Sequence, residues 1–471
     1  MTIRMIPEDV LLEIFDFCQS RLYSDHDMWN WRLLVHVCQR WRQIVFASPH
    51  RLNLRILCTY RTPVRKNLDI WPPFPIIIDY YNLHSKRGIP PNDEDNAVAA
   101  FDSAHIDRVC FVRLDVTGLQ LGKIATVMQE PFPVLTHLEI SSDDGNAPVF
   151  PAKFLGKSAP CLQEVSLSGV PYPTLPTLLL SASGLVTLNL RNIPPTGYFS
   201  PEALVEGLAK LPKLKTFVLE FQLATPRPDR VHSIRSTRTA LPALTLFQFQ
   251  GASEYLEDLV SRIDTPQLNQ ILVFYLNQLV DFQVTQLSRF IERSVGPKLT
   301  ISRHAHVTFS SNKVTFGMTR DAIYPSWDWC SATTIIPCKR IDWQASHITQ
   351  VLGHFSATLY NVVHLRLEVQ ASRQLEGADD IEWLDLFHQF TTVRTLHVSG
   401  EIAWHVARTL EDLTAEMVAG VLPSLDLIRI VGQPVSSIKT FVAFRRRSGR
   451  PVTIIGTKTE FDQRVRSYVS D

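Results

Sequence analysis

A six-residue apolar template recurs along this chain, and its spacing limits the fold more than any other feature. Leu135-x-x-Leu138-x-Ile140 returns as Leu162-x-x-Val165-x-Leu167, Leu185-x-x-Leu188-x-Leu190, Leu214-x-x-Phe217-x-Leu219, Leu244-x-x-Phe247-x-Phe249 and Leu268-x-x-Ile271-x-Val273, at steps of 27, 23, 29, 30 and 24 residues. Ile106-x-x-Val109-x-Phe111 reads as an earlier copy. Val362-x-x-Leu365-x-Leu367, Val393-x-x-Leu396-x-Val398 and Leu425-x-x-Ile428-x-Ile430 continue the series at steps of 31 and 32. Side chains alternate between the faces of a strand, so the fourth and sixth positions of each copy face a core and the third, fifth and seventh face away. One strand per copy cannot bury its apolar face alone; neighbouring copies must stack to do so.

The segments between copies fit short returning helices. Ser200-Pro201-Glu202 supplies a cap, a proline for the first turn and an acid. Ser253 opens a similar run, and Gln344–Gly353, Asp380–Phe390 and Ala403–Gly420 read as further helices. The stretch 295–338 departs from the pattern. Its H-V-T-F-S-S-N-K-V-T-F-G-M alternates around a polar turn and predicts a β-hairpin, either an insertion or a degenerate repeat.

Ahead of the repeats stands a different kind of text. Pro7 suits a first helical turn, and Glu8 and Asp9 suit the positive end of the helix dipole. Leu11, Leu12, Ile14, Phe15 and Cys18 recur at helical steps, as do Leu34, Val37, Cys38, Trp41, Ile44 and Val45, and Ser48-Pro49 stops the run. So short a helical head has too little interior for all this apolar surface. Part of it should meet a partner or the rest of the chain.

I-P-E-D-V-L-L-E-I-F, followed by V-C-Q-R-W, resembles the F-box, the helical motif that docks on the Skp adaptor of cullin–RING ubiquitin ligases. By matching position, the resemblance implies adaptor contacts at Pro7, Leu11, Leu12, Ile14, Phe15, Val37, Cys38 and Trp41. Ile6 stands where that family has leucine, and the loop Ser20–Met28 is longer and more polar than the common form. The six-residue template resembles a leucine-rich-repeat solenoid. Asp143, Val170, Ile193, Gln222, Ala252 and Leu276 fill the ninth positions where regular repeats carry Asn or Cys, so an irregular solenoid without a side-chain ladder is expected. Repeats and head together look like the expanded F-box-like families of mushroom-forming fungi.

The expected architecture is therefore an α/β repeat protein: an all-α F-box-like head over 1–50, a linker and first strand over 51–104, and an irregular leucine-rich-repeat solenoid over 105–471. A polar stretch at Asn82–Asn96 reads as a surface loop. With 45% hydrophobic and 20% charged residues, the chain is not compositionally disordered. A net charge of +1 gives no general basic field, so nucleic acid is not an expected partner. Seven cysteines without a C-x-x-C suggest buried thiols in a reducing compartment, and no secretory leader or membrane span is apparent. Cytoplasm or nucleus is the expectation.

Few residues suggest catalysis, and neither a cofactor nor an enzyme is expected. His304-x-His306 would share a strand face, without a third ligand at metal spacing. Cys330, Cys338 and His347 could form a thiol–imidazole site, against the simpler reading of two buried thiols. Arg445-Arg446-Arg447 with Arg450 is either a nuclear signal or a solvated surface. The outward strand positions make the better functional surface. His137, Glu139, Arg191, Glu220, Gln248, Gln270, Phe274, His364, Arg366 and His397 are the candidates for binding a protein target. The expected role is a substrate receptor that reaches a cullin through the Skp adaptor. The alternative is a repeat scaffold whose helical head merely caps the first repeat.

Overall fold

The computed structural model describes residues 6–20, 30–59, 68, 70–80, 98–99, 101, 105–142, 145–223, 238–276, 284–294, 302–319, 330–355, 359–370, 383–431 and 438–457. The polar stretches expected at 21–28 and 82–96 lie outside the described residues. The protein is mixed α/β and forms two compact units, Met1–Phe199 with Glu206–Leu211 and Ser200–Val205 with Pro212–Asp471. No helix among the described residues is long and apolar enough to cross a membrane.

The first unit begins with helices α1 (Glu8–Ser20), α2 (Asn30–Val37) and α3 (Gln39–Ala47). Six strands follow: β1 (Ile56–Thr59), β2 (Ile76–Tyr80), β3 (Val109–Asp115), β4 (His137–Ser141), β5 (Glu164–Ser168) and β6 (Thr187–Ile193). They pair in chain order and all in parallel. Leu138, Val165 and Leu188 share one register row and are buried, each contributing roughly 2 kcal/mol of apolar burial.

The second unit carries β7 (Thr216–Phe221), a two-residue pair β8 (Thr239–Ala240) and β10 (Ile263–Asp264), β9 (Leu246–Gly251) and β11 (Gln270–Tyr275). Then come β12 (His304–Ser310), β13 (Lys313–Thr319), β14 (Ala332–Pro337), β15 (His364–Gln370), β16 (Thr395–Val398), β17 (Leu427–Val431) and β18 (Thr453–Thr457). The sheet order is β7-β9-β11-β14-β13-β12-β15-β16-β17-β18. Its pairs are parallel except β12 with β13 and β13 with β14. The hairpin expected in 295–338 is therefore present as β12 and β13. It does not project from the sheet; together with β14 it continues the row between β11 and β15. Gly317 explains one detail of the join: a Cβ there would lie 2.3 Å from the His306 ring, so glycine leaves room for the imidazole opposite.

What holds the repeats in register is legible in their backbone. Ahead of β4, β5, β6, β9, β11, β15 and β17 a turn closes from the first template residue to the residue three positions earlier, as in Leu135 N–H to the Phe132 carbonyl and Leu244 N–H to that of Leu241. Pro133, Pro160, Pro242, Pro266 and Pro423 occupy the second position of this turn, where a fixed φ favours it. The residue after the template leucine then accepts two N–H bonds from the next copy. Gln163 and Glu164 donate to Thr136, Val186 and Thr187 to Gln163, Arg394 and Thr395 to Val363. Beyond the strands Ser142 N–H reaches the Ser168 carbonyl and Gly169 N–H that of Arg191, both at 3.0 Å. The expectation of no side-chain ladder thus needs a correction of emphasis, because the backbone supplies the links itself.

The same bonds correct the first copy. Thr136 N–H donates to Cys110, so the template starts at Val109-x-x-Val112-x-Leu114, three residues later than Ile106-x-x-Val109-x-Phe111. Ile106 is the turn residue, bonded through its carbonyl to Val109 N–H. Both readings place apolar residues three apart, which is why the pattern misled.

The returns are uneven. Helix Gly118–Val127 is closed by a capping box between Thr117 and Gln120, and Pro201–Leu208 is capped by Ser200. Helix Ser253–Arg262 is preceded by Ala252 as its cap residue, so Ser253 lies inside it. The remaining expected helices appear as Ile341–Gly353, Trp383–His388, Ile402–Glu411 and Ala415–Val418.

Glu257 on helix Ser253–Arg262 takes the place of a cap for its neighbour, accepting from Gln286 N–H at 2.7 Å and Leu287 N–H at 2.8 Å at the start of helix Thr285–Ser294. Burial pushes its carboxyl up to about 7, against the opposing pull of those two N–H groups and Arg289. A carboxyl lifted above its unfolded value favours the fold most when protonated. Its contribution is complete below about 4.5 and is lost as pH rises through about 7. Compared with Glu257→Gln, the wild type should gain about 1.4 kcal/mol per unit as pH falls across that window. Denaturation curves of both proteins at several pH values check this; parallel curves would refute it.

Candidate functional site

Two surfaces present chemistry to solvent: the helical head and the outward face of the strands. In the head, α1 starts with Leu11 N–H bonded to the Pro7 carbonyl. Leu11, Leu12 and Phe15 turn inward and are buried. Phe15 meets the Trp41 ring edge-on at 4.7 Å, leaving Trp41 partly exposed. A second apolar stripe runs along the opposite side. Val10, Ile14 and Phe17 fall within about 60° of one another on the helix, and all are exposed.

On α2, Trp31 and Val35 are buried while Leu33 and Val37, one turn apart, are 68% and 57% exposed. Cys38 is extended and exposed, so it separates α2 from α3 and breaks what the sequence presents as one continuous periodicity. Of the sixteen large apolar side chains exposed among the described residues, five lie on α1 and α2. That concentration distinguishes a surface from scattered exposure, which carries no meaning singly. Of the eight positions drawn from the F-box resemblance, Pro7, Ile14, Val37 and Cys38 are exposed, Trp41 is intermediate, and Leu11, Leu12 and Phe15 form the head's interior.

The head is fastened to the sheet by aromatic contacts. Trp31 meets Trp71 at 5.0 Å and Phe74 at 5.7 Å, Phe46 meets Phe74 at 5.9 Å, and the Trp31 indole N–H donates to the Arg55 carbonyl. Arg40 reaches the Ile6 carbonyl at 2.6 Å and Arg51 pairs with Glu13, holding the start of α1.

On the first unit's strands, parallel register sets outward residues in rows. Phe111, His137, Glu164 and Thr187 form one row, and Asp79, Arg113, Glu139, Ser166 and Asn189 the next. Arg113 bridges Asp79 at 3.5 Å and Glu139 at 3.0 Å, and lies over the Phe111 ring. His137 stands 3.9 Å from Glu164. Half-exposed Glu139, Glu164 and His137 are accessible, whereas Arg113 is largely committed. Arg191 is exposed at the end of β6.

On the second unit, Glu220 is buried and accepts from Gln248, so it supports that residue more than it contacts solvent. Gln270 and Phe274 lie partly exposed on β11, with Leu272 between them along the strand and Leu246 opposite Gln270 on β9. His364, Arg366 and His397 fall on β15 and β16 in adjoining rows.

The chemical candidates resolve simply. Cys330 precedes β14 and Cys338 follows it, so a strand of about 20 Å separates two buried thiols. No group of three His, Cys, Asp or Glu side chains that could hold a metal occurs among the described residues. Burial pushes the Cys58 thiol up to about 12, an unreactive core position. Arg445 does not join a basic patch: it is buried and donates to the Pro423 and Leu425 carbonyls, leaving only Arg446, Arg447 and Arg450 exposed.

Sequence reasoning missed Arg113, because the first copy was set three residues early, and Asp79, because β2 precedes the copies and was read without an outward face. It also missed Arg429, which the same outward rule gives when applied to the Leu425 copy. No protein-family model matches the chain, and no curated protein matches it either.

Proposed function

We propose that this protein is the substrate-receptor subunit of a Skp–cullin–F-box ubiquitin ligase, its head serving as the F-box and its strands as a degenerate leucine-rich-repeat solenoid. The observation that carries this reading is the second apolar stripe of α1, exposed opposite a well-filled interior, with Leu33 and Val37 exposed on α2. A helix apolar on two sides has a use for both. On this reading Ile14, Val37, Cys38, Pro7 and the open edge of Trp41 meet the Skp adaptor, joined by Val10 and Leu33. Leu11, Leu12 and Phe15 act indirectly by shaping the head. The strands hold a target protein, and the complex works by raising the effective concentration of its lysines near a ubiquitin-charged enzyme.

The test is co-elution with purified Skp adaptor. The wild type should form a stable complex, and Ile14→Asp with Val37→Asp should abolish it, since each removes roughly 2 kcal/mol of burial and buries a charge instead. Both sites are exposed, so the thermal midpoint of the free chain should not move. A wild-type chain that ignores the adaptor ends this reading.

Burial of Leu11, Leu12 and Phe15, together with the Trp31 anchor, favours a second reading in which the head caps the strands of a non-ligase scaffold. The same double variant separates the two, for a cap would lose nothing by it.

A further inference from the structure

The sheet of the second unit ends at β18, whose outer edge is unpaired among the described residues. β18 pairs with β17 alone, from Thr453 opposite Leu427 to Thr457 opposite Val431. Thr453 N–H donates to the Asp426 carbonyl at 2.9 Å, which fixes the phase of the ladder. In a parallel pair each bonded residue turns both its N–H and its C=O to the same neighbour, and the next residue turns both away. Thr453, Ile455 and Thr457 therefore face β17, while Ile454 and Gly456 present two donors and two acceptors at the outer edge. Ile454 is partly exposed and Gly456 is exposed. Nothing in the strand keeps an edge from pairing: it has no charge and no proline, and four of its five residues are β-branched. Gly456 has no side chain to hold a second backbone away. The surroundings are basic. No Asp or Glu occurs from Leu427 to Thr459. Lys439, Arg446, Arg447 and Arg450 are exposed on helix Lys439–Arg447 and the turn that leads from it into β18. Two acids approach from earlier in the chain: Asp426 is exposed, and Glu411 is spent on the Thr440 N–H and hydroxyl.

We propose that β18 takes up an acidic, extended segment of another protein as an added strand. Main-chain bonds to Ile454 and Gly456 supply the pairing, alternate apolar side chains of the segment cover the open flank of Ile454, and its carboxylates meet the surrounding cations. A second copy of this chain is disfavoured as the occupant, because edge-to-edge pairing would set Arg446, Arg447 and Arg450 against themselves. Nucleic acid answers the charge, but it has no peptide N–H and C=O alternation to complete the ladder. The site uses neither the head nor the outward strand positions assigned to a target, so it does not depend on the receptor reading.

The experiment uses the full chain and fluorescence anisotropy of labelled probes: the peptide V-E-V-E-V-E-V, its lysine counterpart V-K-V-K-V-K-V, and a uridine oligonucleotide of equal length. The acidic peptide should bind about tenfold more tightly than the basic one, a difference of about 1.4 kcal/mol. Two further forms of the acidic peptide are N-methylated at alternate amides, one in each phase. Only the phase whose N–H groups meet the edge should lose about tenfold, since the other turns its amides to solvent. Gly456→Pro removes an edge donor without breaking a bond to β17 and should weaken binding. Arg446→Glu combined with Arg447→Glu should abolish the preference for acid, and it stands in should Gly456→Pro fail to fold, judged by thermal melting. Arg303→Glu, an exposed charge ahead of β12, should bind as the wild type does. Equal binding of the acidic and basic peptides, equal effects of the two methylation phases, equal loss with Arg303→Glu, tighter binding of the oligonucleotide, or a dimer of the free chain in light scattering that Gly456→Pro dissolves would each overturn the proposal.

Discussion

Trp31→Ala should lower the stability of the first unit by about 3–5 kcal/mol, the range for removing a buried tryptophan. Trp31 is 2% exposed and sits among Trp71, Phe74 and Phe46, with its indole N–H on the Arg55 carbonyl. Truncation opens a cavity between α2 and the segment leading into β2, and it strands that carbonyl. Amide exchange gives the sharper readout. Protection should fall across α1–α3 and in β1, while β4–β6, held by their own ladder, should exchange as before. Unchanged protection in the helices would mean that the head is fastened by something other than this cluster. On the receptor reading proposed above, this rigidity would matter for function, because a head that docks must be fixed to the strands that hold a target.

Much of this arrangement was legible in the sequence because it depends on alternation. Leu138-x-Ile140 and Leu365-x-Leu367 place apolar residues at period two, and such runs become strands wherever neighbours cover them. The hairpin at His304–Thr319 was equally plain, with β-branched and aromatic residues around Ser311-Asn312. The prolines were harder. They read as punctuation, yet five of them mark one recurring turn whose meaning appears only when Leu135 N–H is seen to close on Phe132. The ladder from Thr136 to Gln163 to Val186 involves backbone alone, and no residue type announces it.

The candidate surfaces divide in the same way. Parity along a strand told which residues point outward, so His137, Glu139, His364 and Arg366 were found by position. Parity does not tell what a neighbouring strand has done with them: Glu220 is spent on Gln248, and Arg113 bridges two acids. In the head, helical spacing alone could not separate Leu11 from Ile14, both apolar and three apart. Only the packing of α1 on Trp41 decides which of them is interior.

Gly169→Ala should cost the first unit far more than a methyl group added at an open glycine. Gly169 has φ +68°, and a Cβ there would lie 2.1 Å from the Ser142 carbonyl oxygen. That oxygen belongs to backbone, so no side chain can swing away. Its own N–H donates to Arg191 at 3.0 Å, and the adjoining Ser168 carbonyl accepts from Ser142. Relieving the clash must therefore stretch bonds on both sides of the ladder. Gly145 supplies an internal control, with φ +68° and nothing within 4 Å of the added atom. Gly145→Ala measures the left-handed backbone alone, about 1–2 kcal/mol. Gly169→Ala adds the steric term, typically a further 1–3 kcal/mol for forced overpacking. Urea denaturation of the two variants separates the contributions. Equal shifts would show that the turn after β5 yields easily, and that the loop ladder does not set the spacing between successive strands.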